Sequence, residues 1–295
     1  MYKTILLNDI KPAEVSNYLY YAIAPRPICF ASTIDAAGSA NLSPFSFFNL
    51  FSVNPPIIVF SPLSRVRDNT TKHTLQNLRE IPEVVVNIVS YEMVQQVSLS
   101  SCEYPKGTDE FVKAGFSKEA SQLVKPPRVK ESPVQMECKV LEIKTLGENG
   151  GAGNLVIAQI IMLHIDENIL DEGGKIDQRK LDLVARLGGN WYARVNADNI
   201  FEVKKPNTAL GIGIDALPAS IRNSKILTGN NLGQLANVTE VPAVSPSYED
   251  DILKNIFQYY SIEPEEMEKE LHVYAARLLN EGKVEEAWQV LLSLA

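Results

Sequence analysis

The chain has 295 residues, 45% apolar and 22% charged, with a formal net charge of −8. Such a composition supports one large domain with additions, or two small ones, and its acidic balance excludes the basic surface of a nucleic-acid protein. No run approaches the ~20 apolar residues that a membrane span needs, and the opening MYKTILLNDIKPAE lacks the form of a secretory signal.

Residues 12–22 predict a short helix, with Pro12 and Glu14 in its first turn and Val15, Leu19 and Ala22 recurring at about helical spacing. Pro25-Arg26-Pro27 then leads into an apolar strand at 28–32. The chain turns through 35–41 and returns as a second strand dense in hydroxyls and phenylalanines, which spells a β-hairpin. A further strand at 57–61 follows Pro55-Pro56. Serines and threonines gathered at these strand ends, Ser61 among them, are placed to line a polar ligand site.

Residues 74–80 and 91–101 predict helices, and the valine run EVVVNIVS at 83–90 predicts a buried strand. Residues 102–115, broken by Pro105 and Gly107, read as a loop. Two longer strands, 134–146 and 154–165, joined by the glycine-rich turn 147–153, predict an antiparallel pair. At least six strands, mostly linked by short turns, predict an antiparallel β-barrel with peripheral helices, rather than a doubly wound sheet.

From 174 to 210 the pattern weakens, apart from the glycine turn LGGNW at 187–191, and 209–219 reads as one more strand or an extended crossing. Beyond 241 the composition shifts to Glu, Leu and Tyr, with helices predicted at 251–260, 264–280 and 284–294. The expected organisation is a barrel over 1–206, a linker over 207–244 and a helical appendage over 245–295. Within the appendage, AARLLNEGKVEEAWQVL has the look of one helical-repeat unit; a lone unit cannot bury its own face, which favours a cap or a dimerisation arm.

Three histidines (His73, His164, His272) show no metal-pair spacing, and no nucleophile elbow is present. The cysteines Cys29, Cys102 and Cys138 give neither a disulfide framework nor a zinc pattern, which fits a reducing, cytoplasmic setting. The glycine runs 147–153 and 211–213 do not sit between a strand and a helix, so they read as turns and not as dinucleotide fingerprints. RVRDNTTKHTLQN at 65–77 is a better anion candidate, packing Arg65, Arg67, Lys72 and three threonines ahead of a predicted helix. Two readings stand side by side. Thr71 or Thr74 caps the helix and the cations are solvated, or the run forms an anion cradle on free helix N–H groups.

Several of these segments, in the same order, resemble the flavin-reductase-like family, flavoproteins with an FMN-binding split barrel. They are 21–63, Lys72-His73-Thr74-Leu75-Gln76-Asn77, YPKGTDEF at 104–111, ESPVQMEC at 131–138 and LGGNWY at 187–192, and the resemblance spans about 10–195. The family's motif is Lys-Asp-Thr-x-x-Asn, and His73 takes the aspartate position. The resemblance implies bound FMN, with Lys72 and Thr74 at its phosphate in the cradle that also holds Arg67. It implies that Arg26, Ser32 and Thr33 contact the isoalloxazine and ribityl chain, and that Pro44, Ser46, Phe47 and Asn49 meet the pyrimidine edge. Gly189 belongs to the glycine turn that approaches the flavin in family members. From the residues alone, Phe45, Phe47 and Phe48 read as well as core, and Arg26 as a rigid surface corner. His164 reads either as reaching the flavin or as structural. The resemblance further implies NADH or NADPH as donor, a small-molecule acceptor and a homodimer. The alternative is a non-catalytic FMN-binding carrier or sensor, or a partner-binding protein.

Overall fold

The computed structural model describes residues 1–203, 205–206 and 209–294. The chain divides into two compact units, Met1–Phe201 and Glu202–Ala295. The sequence-expected boundary at 206/207 adjoins Asn207 and Thr208, which lie outside the described residues.

The first unit opens with α1 (Pro12–Ala22), followed by β1 (Cys29–Ile34), β2 (Ala40–Phe45), β3 (Phe48–Val53) and β4 (Pro56–Phe60). Then come α2 (His73–Glu80), β5 (Glu83–Ile88), α3 (Val94–Leu99), α4 (Glu110–Ala114) and the two-residue strands β6 (Lys118–Glu119) and β7 (Arg128–Val129). The long pair β8 (Val134–Thr145) and β9 (Asn154–Ile165) precedes α5 (Gln178–Leu181) and a hairpin of β10 (Leu183–Arg186) and β11 (Tyr192–Val195). Seven strands form one antiparallel sheet in the order β2-β1-β5-β8-β9-β4-β3.

That order has a geometric consequence. β2 and β3 are the two outer strands of the sheet, yet only Ser46 and Phe47 separate them in the chain. The three Cα steps from Phe45 to Phe48 span at most about 11 Å, so the sheet must curl until its edges approach each other. The result is a split barrel with its seam at Ser46-Phe47. The stretch read from sequence as one hairpin strand is therefore two strands, pairing with β1 and β4 respectively.

Side-chain alternation along the strands sorts the core into two layers. Cys29, Ala31, Phe45, Ile58, Phe60, Val84, Val86, Met136, Cys138, Val156 and Ala158 fill the interior, closed by Leu75 and Leu78 of α2. Phe30, Leu42 and Ile28 face the other way, onto Val94 and Val97 of α3 and Phe111 and Ala114 of α4. The loop expected over 102–115 thus contains a helix. Its start is fixed by Asp109, whose carboxylate accepts the Phe111 N–H, and its end by Gly115 in the left-handed region at φ 72°.

The second unit is helical: α6 (Ala219–Arg222), α7 (Gly229–Leu235), α8 (Asp251–Tyr259), α9 (Pro264–Asn280) and α10 (Val284–Leu292). Leu217, Ile221, Leu227 and Leu235 pack into one core with Leu271, Leu278, Leu279 and Trp288. The stretch expected as a linker over 207–244 accordingly carries helices that complete this core. A capping box starts α7, with Thr228 and Asn231 each accepting the other's main-chain N–H. No helix among the described residues is long and apolar enough to cross a membrane.

Candidate functional site

The barrel seam collects one group of the sequence-predicted residues. The Arg26 guanidinium is buried beneath the end of α1, donating from one terminal nitrogen to the carbonyls of Tyr20 (2.7 Å) and Ile23 (2.6 Å) and from the other to Leu187 (3.0 Å). It lies 5.6 Å from the Tyr20 ring centre and 6.0 Å from that of Phe47, and Phe47 meets Tyr20 edge-on at 5.7 Å. Arg26 also pairs its backbone with Arg186, at 3.0 and 2.8 Å. Burial lowers its pKa, helped by the nearby Arg186 charge. Its Nε is buried and has no acceptor. Beside it, the 187–191 turn lies against Tyr21: a Cβ on Gly188 would fall 2.5 Å from the ring, and Gly189 takes φ +57° with its own Cβ position 2.8 Å from the Tyr21 hydroxyl.

A second group lies where α2 meets the β1–β2 hairpin. Thr33 and Asn41 are cross-strand partners on β1 and β2 and share a face. Asn41 Nδ2 donates to Thr74 Oγ1 at 3.0 Å, and Asn77 Nδ2 donates to Thr33 Oγ1 at 3.2 Å. All four are buried. The Thr and Asn of the Lys-x-Thr-x-x-Asn motif therefore lock α2 onto the β1–β2 hairpin. Neither Asn41 nor Asn77 was among the sequence-predicted site residues; the shared parity of Thr33 and Asn41 with the motif spacing was the available signal.

With Thr74 so engaged, helix α2 has Lys72 as its N-cap residue and no side-chain cap, and Thr71 Oγ1 instead accepts from Gln76. First-turn N–H groups of α2 are therefore left for another acceptor. The Lys72 ammonium has no acidic partner among the described residues and lies 5.3 Å from the Phe45 ring centre. Burial, then the Arg65 charge, lowers its pKa. His73 is shifted down for the same two leading reasons. Arg65 donates to Thr70 Oγ1, the Thr71 carbonyl and Glu103.

Other predicted residues are placed differently. Arg67 is exposed and paired with Asp68 and Glu103. Ser32 is fully buried with an unpartnered hydroxyl, and as the neighbour of Thr33 on a strand it faces the opposite side. Ser61 donates its N–H to the Phe47 carbonyl, and its hydroxyl accepts the Asn154 N–H at 3.1 Å. Pro44 and Ser46 are half-buried, and Asn49 is exposed with its amide oxygen turned to the Leu50 N–H.

His164 is held elsewhere, by its Nε2 at 2.7 Å from Glu137. Burial alone would raise the Glu137 carboxyl, but the N–H groups of Gln122 and Leu123 with the His164 ring outweigh it, and the net direction is downward. His164 borders a cleft of about 500 Å³. A second cleft, about 490 Å³, opens between α3 and the β10–β11 hairpin. Neither is lined by a sequence-predicted cofactor residue.

The sequence matches the flavin reductase like domain family over residues 21–182, more than half of the chain. An uncharacterized protein of Aquifex aeolicus is 36% identical over 172 residues, 58% of this chain and 85% of that one. Protein BH2278 of Halalkalibacterium halodurans, also uncharacterized, is 36% identical over 192 residues, 64% of this chain and 91% of its own. Among solved structures, nitrilotriacetate monooxygenase component B from Bacillus cereus aligns with a TM-score of 0.65 and 28% identity, covering 69% of this chain and 99% of that one.

Proposed function

Because the chain belongs to the flavin reductase-like family, we propose that its first unit binds FMN along the barrel seam and serves as an NAD(P)H-dependent oxidoreductase for a small acceptor. One observation carries this reading: a lysine without an acidic partner stands at the uncapped start of a helix. A free ammonium beside free N–H groups is the donor set that a phosphate monoester needs. Lys72 and the first turn of α2 would hold that phosphate. Ser46 and Phe47, at the seam, would flank the ring, and the unsatisfied Arg26 Nε would donate to it. When bound, the flavin supplies hydride acceptance and donation.

No side-chain acid or base is assigned to that transfer. Thr33, Asn41, Thr74 and Asn77 act one step back, fixing the helix whose N-terminus meets the anion. We further propose a homodimer, supported by the exposed apolar side chains Leu50, Phe51 and Val53 on the outer strand β3. Sedimentation should return twice the chain mass, and a monomer at micromolar concentration would overturn this part. The free cysteines support a reducing, cytoplasmic setting.

The test is visible absorbance of the purified protein under anaerobic conditions, before and after NADH or NADPH. Yellow protein that bleaches supports the oxidoreductase and identifies its donor. Yellow protein that stays yellow leaves a flavin carrier or sensor. Colourless protein that takes up no FMN overturns the reading. Lys72→Ala should weaken FMN binding about 10–100-fold, the range expected for one charge-assisted hydrogen bond.

A further inference from the structure

The cleft between α3 and the β10–β11 hairpin has a composition unlike the rest of this acidic protein. Its lining contains two arginines, Arg186 and Arg194, and no acidic side chain. Their charges are not equivalent. Arg194 is neutralised by a two-point pairing with Asp182, both contacts at 2.7 Å, and its guanidinium lies 3.8 Å from the Tyr91 ring centre. Arg186 has no carboxylate partner among the described residues. Its guanidinium lies 4.6 Å from the Tyr192 ring centre and donates a long 3.5 Å contact to the Trp191 carbonyl.

Two cation–aromatic stacks therefore line the cleft, one neutral overall and one carrying a single uncompensated positive charge. A stacked guanidinium keeps its in-plane N–H groups free, in the fork geometry that a carboxylate matches with two parallel hydrogen bonds. Tyr91 and Tyr192 line the cleft with their rings, and Ser98 and Ser101 line it from α3 and its C-terminal end. At about 490 Å³ the space suits a small organic molecule. One free cation balances one negative charge, which favours a monoanion over a phosphate dianion.

We propose that this cleft is a binding site for a planar aromatic carboxylate, with the carboxylate on Arg186 and the ring between Tyr192 and Tyr91. The site adjoins the seam, since Arg186 pairs its backbone with Arg26 and Asn190 and Tyr192 belong to the 187–192 segment, but it does not rest on the flavin reading: none of the residues assigned to the cofactor above lines it.

Titration calorimetry on the full chain with three probes tests this directly. Benzoate should bind. Cyclohexanecarboxylate, which keeps the charge without a ring face, and benzamide, which keeps the ring without the charge, should each bind at least 10-fold more weakly. Arg186→Gln should weaken benzoate 10-fold or more, Arg186→Lys should give an intermediate loss, and Tyr192→Leu should weaken benzoate while erasing its advantage over cyclohexanecarboxylate. Benzoate heats should persist with saturating FMN present.

The proposal is overturned if benzoate gives no heat at millimolar concentration, if cyclohexanecarboxylate binds equally well, or if FMN abolishes the benzoate signal. Should Arg186→Gln fail to fold, because Arg186 also pairs its backbone with Arg26, the three-probe comparison on the unaltered protein still decides. Colourless protein that nevertheless binds benzoate would sink the flavin reading and leave this one standing.

Discussion

At the scale of single residues, the molecule spends its family motif on itself as much as on a ligand. Asn77 is almost fully buried, and its amide reaches Thr33 across the gap between α2 and β1. Asn77→Ala leaves the Thr33 hydroxyl without its donor, so unfolding in urea should show a loss of about 1–3 kcal/mol. Replacing both partners by apolar side chains of similar shape, Thr33→Val with Asn77→Leu, should recover part of that loss. A double variant as unstable as the sum of the two single changes would contradict the pairing.

Glu137 makes a prediction in pH. Its folded carboxyl lies below its unfolded value of about 4.3, so the stability it contributes is present above that pH and is lost as pH falls through the folded pKa. Glu137→Gln should therefore flatten the stability–pH curve on the acid side of about 4.3. An unchanged acid limb in denaturation curves from pH 3 to 6 would show that the carboxylate is not held as described.

Among elements, the glycine turn between β10 and β11 is the sharpest test of packing. The Gly188 Cβ position lies 2.5 to 2.6 Å from three Tyr21 ring atoms near the root of that side chain, where swinging the ring tip aside gives little relief. Gly188→Ala should cost about 1–3 kcal/mol, the usual range for overpacking. In a Tyr21→Ala background the same change should be nearly neutral, and a double-mutant cycle without coupling would refute the contact.

This hairpin also shows what the sequence concealed. Strands β8 and β9 were legible because twelve-residue runs on either side of a glycine turn admit one pairing, and α1 and α9 because proline starts and helical periodicity agree. β10 and β11 have four residues each, too few for alternation to stand out. Helix α4 was missed although Asp109 and Gly115 mark both its ends, because Pro105 and Gly107 gave the whole stretch a loop composition. The division of residues 40–53 into two outer strands depends on which strands lie beside them, and alternation within one segment carries no information about its neighbours. The seam site follows from that division, so the sequence could name Ser46 and Phe47 without showing why they matter.

On the scale of the whole chain, the two units carry separate cores, and each has its own tryptophan. Trp191, in the first, is 72% exposed, whereas Trp288, in the second, is 1% exposed among Leu235, Leu271 and Leu279. Blue-shifted emission should therefore come from Trp288, and its red shift on denaturation should report the helical unit. Leu279→Ala removes a buried side chain from that core and should cost about 2–5 kcal/mol. Separate cores predict that this loss stays local. The fluorescence transition should move to lower denaturant, and amides of α9 and α10 should exchange faster with solvent, while those of β8 and β9 keep their protection. If instead β8 and β9 lose protection in step with α9, the two units unfold as one cooperative body, and the helical unit is a structural part of the barrel domain in spite of its separate core.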